Sequence, residues 1–367
     1  MKKGNIIFKQ VSFIILFLVS LTGISQQYTQ RKEINRSFPL TPSMTIEIQN
    51  KYGKIQVITC DKDSLNLSAE VIAESTKKEK LKGILDEIDL DFTVTKYFIT
   101  VQTEFEKRYD SFFNDLLNLA ESISSNGNQV EINYTLKIPE YVNLQIDNKF
   151  GDVYLDNLVG EVILKLSNGD MKANKLSGNA ELHITMGDAN ISQLSNAKLF
   201  LNYAEVHIDE AGTINIDSKV SDIHIDKAGA IKTLSKKDKF YIENIKQLLG
   251  ESYFSDMNIH RLSNRLNLQM KYGNINLDTL KRDFSFIDLM SEYSDINVHF
   301  EKGSSFYLDV TYEDSNLKYP DEFGDLNKKT LDEYDEEYVV YGDVGQKAST
   351  SKIKINAKKG NINMYFR

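Results

Sequence analysis

The chain has 367 residues, with 53 acidic side chains against 44 Lys and Arg, a formal charge of −9 and one cysteine. The acidic balance argues against nucleic acid and anionic lipid as partners, and a lone cysteine excludes an intrachain disulfide. Burial and hydrogen bonding must therefore hold the fold.

The first segment sets Lys2, Lys3 and Lys9 before the apolar run VSFIILFLVSLTGI and the small-residue stretch GISQQ. That is the three-part layout of a secretory signal peptide, residues 1–25, with cleavage expected after Ser25. Its removal carries the formal charge from −9 to −12. No later apolar run is long enough to span a bilayer, so the expected product is exported: periplasmic, on the cell surface or secreted.

Residues 26–147 form a distinct N-terminal region. Within it, 64–73, 88–95, 97–103 and 129–138 read as strands, while 76–87 and 105–124 read as helices. In the second helix Phe105, Tyr109, Phe112, Leu116, Ala120 and Ile123 recur at helical spacing, ending at SSNGN. The expectation is an α+β cap over the open end of a repeat structure.

Residues 148–319 repeat. Aligned on small residues, the register runs Gly151, Gly169, Gly187, Ala204, Ser221, Asp238, Ser255, Gly273, Ser294 and Ser315, with Gly53 and Gly360 as outliers. Two and four places after each anchor come apolar residues, as in Val153 and Leu155 or Ile223 and Ile225, with polar residues between. This is a period-two strand with one buried face. Seven places on lies an apolar plug, Leu158, Leu176, Leu194, Ala211, Ala228, Ile245, Leu262 and Leu280. A second alternating segment, such as EVILKLSN or AKLFLNY, leads to the next anchor. A unit of 17 or 18 residues cannot bury its own core but can stack on copies of itself. The expected fold is mainly β, a single-stranded β-solenoid wound as a right-handed β-helix. Small anchors are expected because the backbone turns there and Gly accepts positive φ without steric cost, with Asp238 tolerating the same region.

Residues 320–345 carry nine acids against Lys328 and Lys329 and read as a surface insertion. Residues 346–367, with KIKINAKKGNINMYF, read as one final coil.

Local signatures of nucleotide, metal or acyl-transfer chemistry are absent, which lowers the expectation of an enzyme and leaves no catalytic residues or cofactor to assign. One place after the anchors stand Asp152, Asp170, Asp188, Glu205 and Asp222, a column of hard oxygen donors fit for a calcium ladder. The plainer account has each Asp bonding its own turn backbone. His207 and His224 share a column, but Tyr154, Lys172 and Asn190 on its other rungs supply no third metal ligand, so solvated histidines are expected. Cys60 falls on the plug column and reads as a buried small hydrophobe.

The run INYTLKIPEYVNLQIDNKFGDVYLDNL, followed by Gly-Asp and Gly-Asn repeats, resembles the adhesin-like β-strand-repeat family of bacterial envelope proteins, a family of largely unknown function. The resemblance implies a non-enzymatic envelope or surface module for binding or scaffolding, with a glycan, a cell-wall component or an envelope protein as partner. A polysaccharide-active β-helix enzyme using the acid column, and an envelope-stress sensor acting through a protein partner, are the alternatives.

Overall fold

A computed structural model describes residues 27–105 and 128–367. The signal segment and, beyond Phe105, the second helix lie outside the described residues. The described residues are mainly β, with 21 strands hydrogen-bonded into one sheet.

The described residues divide into two compact units. The smaller comprises, of the described residues, 27–33, Glu70–Asp89, 104–105 and 128–131. Its helix, Lys78–Asp86, buries Leu81, Ile84 and Leu85 at the i, i+3, i+4 spacing that makes one apolar face. Lys77 gives no side-chain cap; the Ser75 Oγ instead accepts the Lys77 N–H at 3.0 Å, and the helix ends where the Glu87 N–H reaches the Gly83 carbonyl at 3.2 Å.

The larger unit comprises Ile34–Ala69, Leu90–Thr103 and Ile132–Arg367. Its repeats pair in parallel and in register. Val162 lies opposite both Leu144 and Ala180, and Glu205, Asp222, Lys239 and Asp256 stand on successive rungs. Period-two alternation explains the burial: the whole plug column is at most 4% exposed, and Val153, Met171, Val206, Ile223, Phe240 and Met257 are fully buried. Cys60 departs from its expected burial and is half-exposed, because it sits at the edge of an irregular segment.

The anchors are small for a different reason from the expected one. Positive φ falls on the residue before each anchor: Tyr52, Phe150, Asn168, Met186, Tyr203, Val220, Lys237, Phe254, Tyr272, Tyr293, Asp314 and Lys359, all between 46° and 64°. At the glycine anchors a side chain would run into the backbone of the neighbouring rung. A Cβ on Gly187 would stand 2.0 Å from the Gly169 carbonyl oxygen, and one on Gly151 would stand 2.1 Å from that of Gly53.

Ser221, Asp238, Ser255 and Ser294 instead place a side-chain oxygen at the anchor, where it accepts a hydrogen bond from the anchor of the rung before it. The Ala204 N–H donates to Ser221 Oγ at 3.3 Å, Ser221 N–H to Asp238 Oδ1 at 2.8 Å, Asp238 N–H to Ser255 Oγ at 3.0 Å and Gly273 N–H to Ser294 Oγ at 3.2 Å. Asp238 is 1% exposed and not a left-handed turn residue; its Oδ2 also accepts Ser218 Oγ–H at 2.7 Å and Lys236 N–H at 2.8 Å. Burial raises its carboxyl pKa, and these three donors restrain the rise.

Both outlying anchors join the stack. Asn50 pairs with Asn148 and Ile55 with Val153, so the Gly53 repeat is the rung next to Gly151, and the residues between them are an excursion. The Asp156 carboxylate links these rungs: Oδ2 accepts the Thr59 N–H and Oγ–H at 3.2 and 3.0 Å, and Oδ1 accepts Asn157 N–H at 2.8 Å and Asn174 Nδ2–H at 3.1 Å. Partial burial works to raise its pKa, but the donors outweigh it and hold the carboxyl below its ordinary value. A depressed folded pKa contributes stability above the unfolded value near 3.9 that is lost as pH falls through the folded one. Asp156→Asn should therefore cost ~1 kcal/mol at pH 7, and the difference from wild type should shrink on acidification, checked by urea unfolding at both pH values.

The final repeat is not at the end of the stack. Lys352–Lys358 pairs in parallel with both Phe286–Phe300 and Phe306–Glu313, and Asn361–Phe366 pairs with Phe286–Phe300 and with Asn316–Lys318. The last repeat in sequence is thus inserted between two earlier ones. The acidic segment is not simply a solvated loop: Asn327–Asp332 and Glu337–Val344 form an antiparallel pair, and the second strand covers the outer edge of Phe306–Glu313. An edge paired in this way is closed to further strand addition.

Candidate functional site

Three outward columns of the larger unit carry chemistry. The first is the acid column. Asp152, Asp170 and Asp188 are tied rung to rung, because Asp152 Oδ1 accepts the Asp170 N–H at 2.9 Å and Asp170 Oδ1 accepts the Asp188 N–H at 3.1 Å. These carboxylates thus bond the next rung's backbone, not their own turn. Glu205 and Asp222 continue the column as a paired position. Burial and repulsion from Asp170 and Glu205 push the Asp188 carboxyl up, with His207 opposing.

The second column holds His207, His224 and Tyr241, paired across successive rungs. The rings stack at centroid separations of 4.4 and 4.7 Å with interplanar angles of 12° and 14°. The third donor that the column itself does not provide comes from within the strand. Glu205 lies two residues before His207, on the same face, with Oε1 3.1 Å from His207 Nε2. The signal was legible as Glu-x-His, a spacing that puts two side chains on one face of a strand. Farther along, the column becomes a ladder of asparagine amides: Asn276 Nδ2–H to Asn258 at 2.9 Å, Asn297 to Asn276 at 2.8 Å and Asn363 to Asn297 at 2.9 Å. The remaining histidines stand apart: His183 stacks on Phe200, His260 pairs with Asp278, and His299 stacks on Tyr365.

The third column is the positive-φ position, which alternation alone does not single out. Phe254, Tyr272 and Tyr293 stack along it at 4.7 and 5.0 Å, and are 52%, 39% and 42% exposed. The signal was the recurrent aromatic before the anchor, in KFG, NYA, YFS, KYG and EYS. Large side chains in the left-handed region cost roughly 1–2 kcal/mol each, and ring stacking at about 0.5–1.5 kcal/mol per pair offsets part of that. Lysines border the rings: Lys271 Nζ lies 5.5 Å from the Tyr272 centroid while bonded to Glu292, and Lys359 Nζ lies 5.2 Å from the Tyr293 centroid and 3.3 Å from its hydroxyl. At this end the surface dips into an open hollow lined by Tyr293, Asp295, Asp314, Asn316, Lys359 and Asn361. Asp295 Oδ1 accepts both the N–H and the Nδ2–H of Asn361, at 2.8 and 3.0 Å.

No helix among the described residues is long and apolar enough to cross a membrane. No family model matches the chain, and no curated protein matches it. Among solved structures it is similar to a candidate cell adhesion protein from Clostridium sporogenes, at 10% identity and a TM-score of 0.21, over 92% of this chain and 100% of the other. It is similar to a candidate adhesin from Parabacteroides distasonis, at 11% identity and a TM-score of 0.35, over 73% and 97%. It is also similar to a candidate lipid binding protein from Parabacteroides distasonis, at 11% identity and a TM-score of 0.32, over 90% and 96%. At these identities and scores the likenesses establish no family.

Proposed function

We propose that the chain is an exported β-solenoid of the cell envelope or surface that binds an extended glycan without cleaving it. The observation that carries the reading is the exposed column Phe254, Tyr272, Tyr293, one ring per rung. A contiguous apolar surface kept in water marks a binding face; the rings cover one another's faces along the column and present their edges to solvent as a continuous apolar ridge. A polymer lying along the column would meet an equivalent ring edge at each rung, with Lys271 and Lys359 beside it as hydrogen-bond donors. The export reading rests on the layout of residues 1–25, and the solenoid reading on the 17- and 18-residue parallel register.

The test is retention on an array of glycans and purified cell-wall polymer. Wild type should bind at least one polymer, and Phe254→Ala/Tyr272→Ala/Tyr293→Ala should weaken that binding about tenfold or more, the loss expected of ~1.4 kcal/mol or more in total from the apolar contacts of three rings. Absence of retention, or a triple variant that binds as wild type, would sink the proposal.

A polysaccharide-active enzyme is the second reading, and the hollow with Asp295, Asp314 and Lys359 beside Tyr293 is what favours it. Release of reducing ends from the same array, abolished by Asp314→Asn, would replace binding with hydrolysis.

A further inference from the structure

We infer that Glu205, His207 and His224 form a surface site for one divalent transition-metal ion of the zinc, nickel and copper type. This site is separate from the aromatic column. The three side chains can each offer one ligand atom, and those atoms lie within 4.8 Å of one another. With metal–nitrogen bonds of ~2.1 Å and tetrahedral angles, donors around one ion stand ~3.4 Å apart. Glu205 Oε1 and His207 Nε2, at 3.1 Å, already meet that requirement. His224 lies on the neighbouring rung with its ring parallel to that of His207. Parallel rings cannot both aim a lone pair at one ion, so binding requires a rotation of the His224 ring about its side-chain bonds.

The backbone supplies the preorganisation. Glu205 is fixed opposite Asp222 and His207 opposite His224 by the parallel ladder, so only side-chain torsions remain to be ordered. Glu205 and His207 are exposed and His224 is half-exposed, which leaves an entry path. Electrostatics favour a dication here. Asp188 on one neighbouring rung feels both Glu205 and His207, and Asp222 adjoins Glu205 on the other. Two imidazoles with one carboxylate select a borderline ion over calcium, which prefers oxygen donors alone. Three protein ligands leave a fourth position open to water or to a donor from a bound partner.

The experiment is calorimetric titration of the full-length, chelator-treated protein with zinc chloride, together with electron paramagnetic resonance of the copper(II) form. The expected result is one saturable site, a copper spectrum with coupling to two nitrogens, and at least a tenfold weaker zinc affinity in both His207→Gln and His224→Gln. His260→Gln, whose histidine lies outside the cluster, should bind as wild type. Far-UV circular dichroism confirms that each variant is folded, and His224→Asn replaces any variant that is not. The copper spectrum of wild type counts the coordinating nitrogens without any substitution. The inference is overturned by absent saturable binding, by coupling to fewer than two nitrogens, or by a His224 variant that binds zinc as tightly as wild type.

Discussion

A chain ending at Ser349 should lose the fold of the region from Phe286 to Val344, not merely one terminal repeat. The deleted residues include Ile353, Ile355, Ile362 and Met364, each at most 2% exposed. Burial of four such side chains at ~1.5–3 kcal/mol each amounts to roughly 6–12 kcal/mol as an upper estimate. That is comparable with the whole net stability of a domain, roughly 5–15 kcal/mol. The deletion also strips two strands of a neighbour, because Lys352–Lys358 is hydrogen-bonded on one side to Phe286–Phe300 and on the other to Phe306–Glu313. Hydrogen exchange should show protection lost in both flanking strands while Val162–Ser167 and the Met171–Lys219 rungs remain protected. A truncated chain that melts within a few degrees of wild type, with Phe306–Glu313 still protected, would mean that the last repeat is a dispensable end.

The second large effect separates two accounts of the anchor column. If the anchors were small because the backbone takes positive φ there, Gly187 would be the turn residue and Met186 an ordinary neighbour. The structure has φ of 55° at Met186, and a Cβ on Gly187 would meet the Gly169 carbonyl oxygen at 2.0 Å. Gly187→Val should therefore cost ~3 kcal/mol or more, since the obstructing atom is backbone already held in the parallel stack. Met186→Gly should stay within ~1 kcal/mol of wild type, because relief of left-handed strain is offset by the greater chain entropy of glycine. Chemical denaturation of the two variants measures both. The reverse order of costs would restore the turn account. Ala204 carries a Cβ in the same column, so the closeness of approach is set rung by rung.

Ser221, Asp238, Ser255 and Ser294 extend the same point. In place of a bare glycine they put an oxygen where the preceding anchor's N–H needs an acceptor, and Asp238 gathers Ser218, Ser221 and Lys236 around one buried carboxylate. Removing that carboxylate would leave the buried Ser218 and Ser221 donors without this acceptor.

Much of the candidate surface was legible once columns were known. Asp152, Asp170 and Asp188 fall in line by counting, and so do His207 and His224. Counting along a column did not pair Glu205 with His207, because that partnership runs along the strand, at the i, i+2 spacing that shares a face. Nor did it find Phe254, Tyr272 and Tyr293. They occupy the place before the anchor, where alternation gives no rule for the side chain's direction and the positive φ decides it.

What the sequence determined by itself is local and periodic: alternation sets which residues are buried, the plug column from Leu158 to Leu280 is interior, and a 17- or 18-residue step carries each residue onto its counterpart. These follow from backbone pleat and chain length, which act between near neighbours. What only the tertiary structure decided is the order of rungs in space. Gly53 lies beside Gly151 across the residues that separate them, and Gly360 lies between Ser294 and Ser315. Any repeat of the right pattern can pair with any other, so periodicity is silent on which neighbour it takes. The choice depends on long-range closure, and here the strands Asn327–Asp332 and Glu337–Val344 return the chain to a gap between two rungs instead of to the open edge.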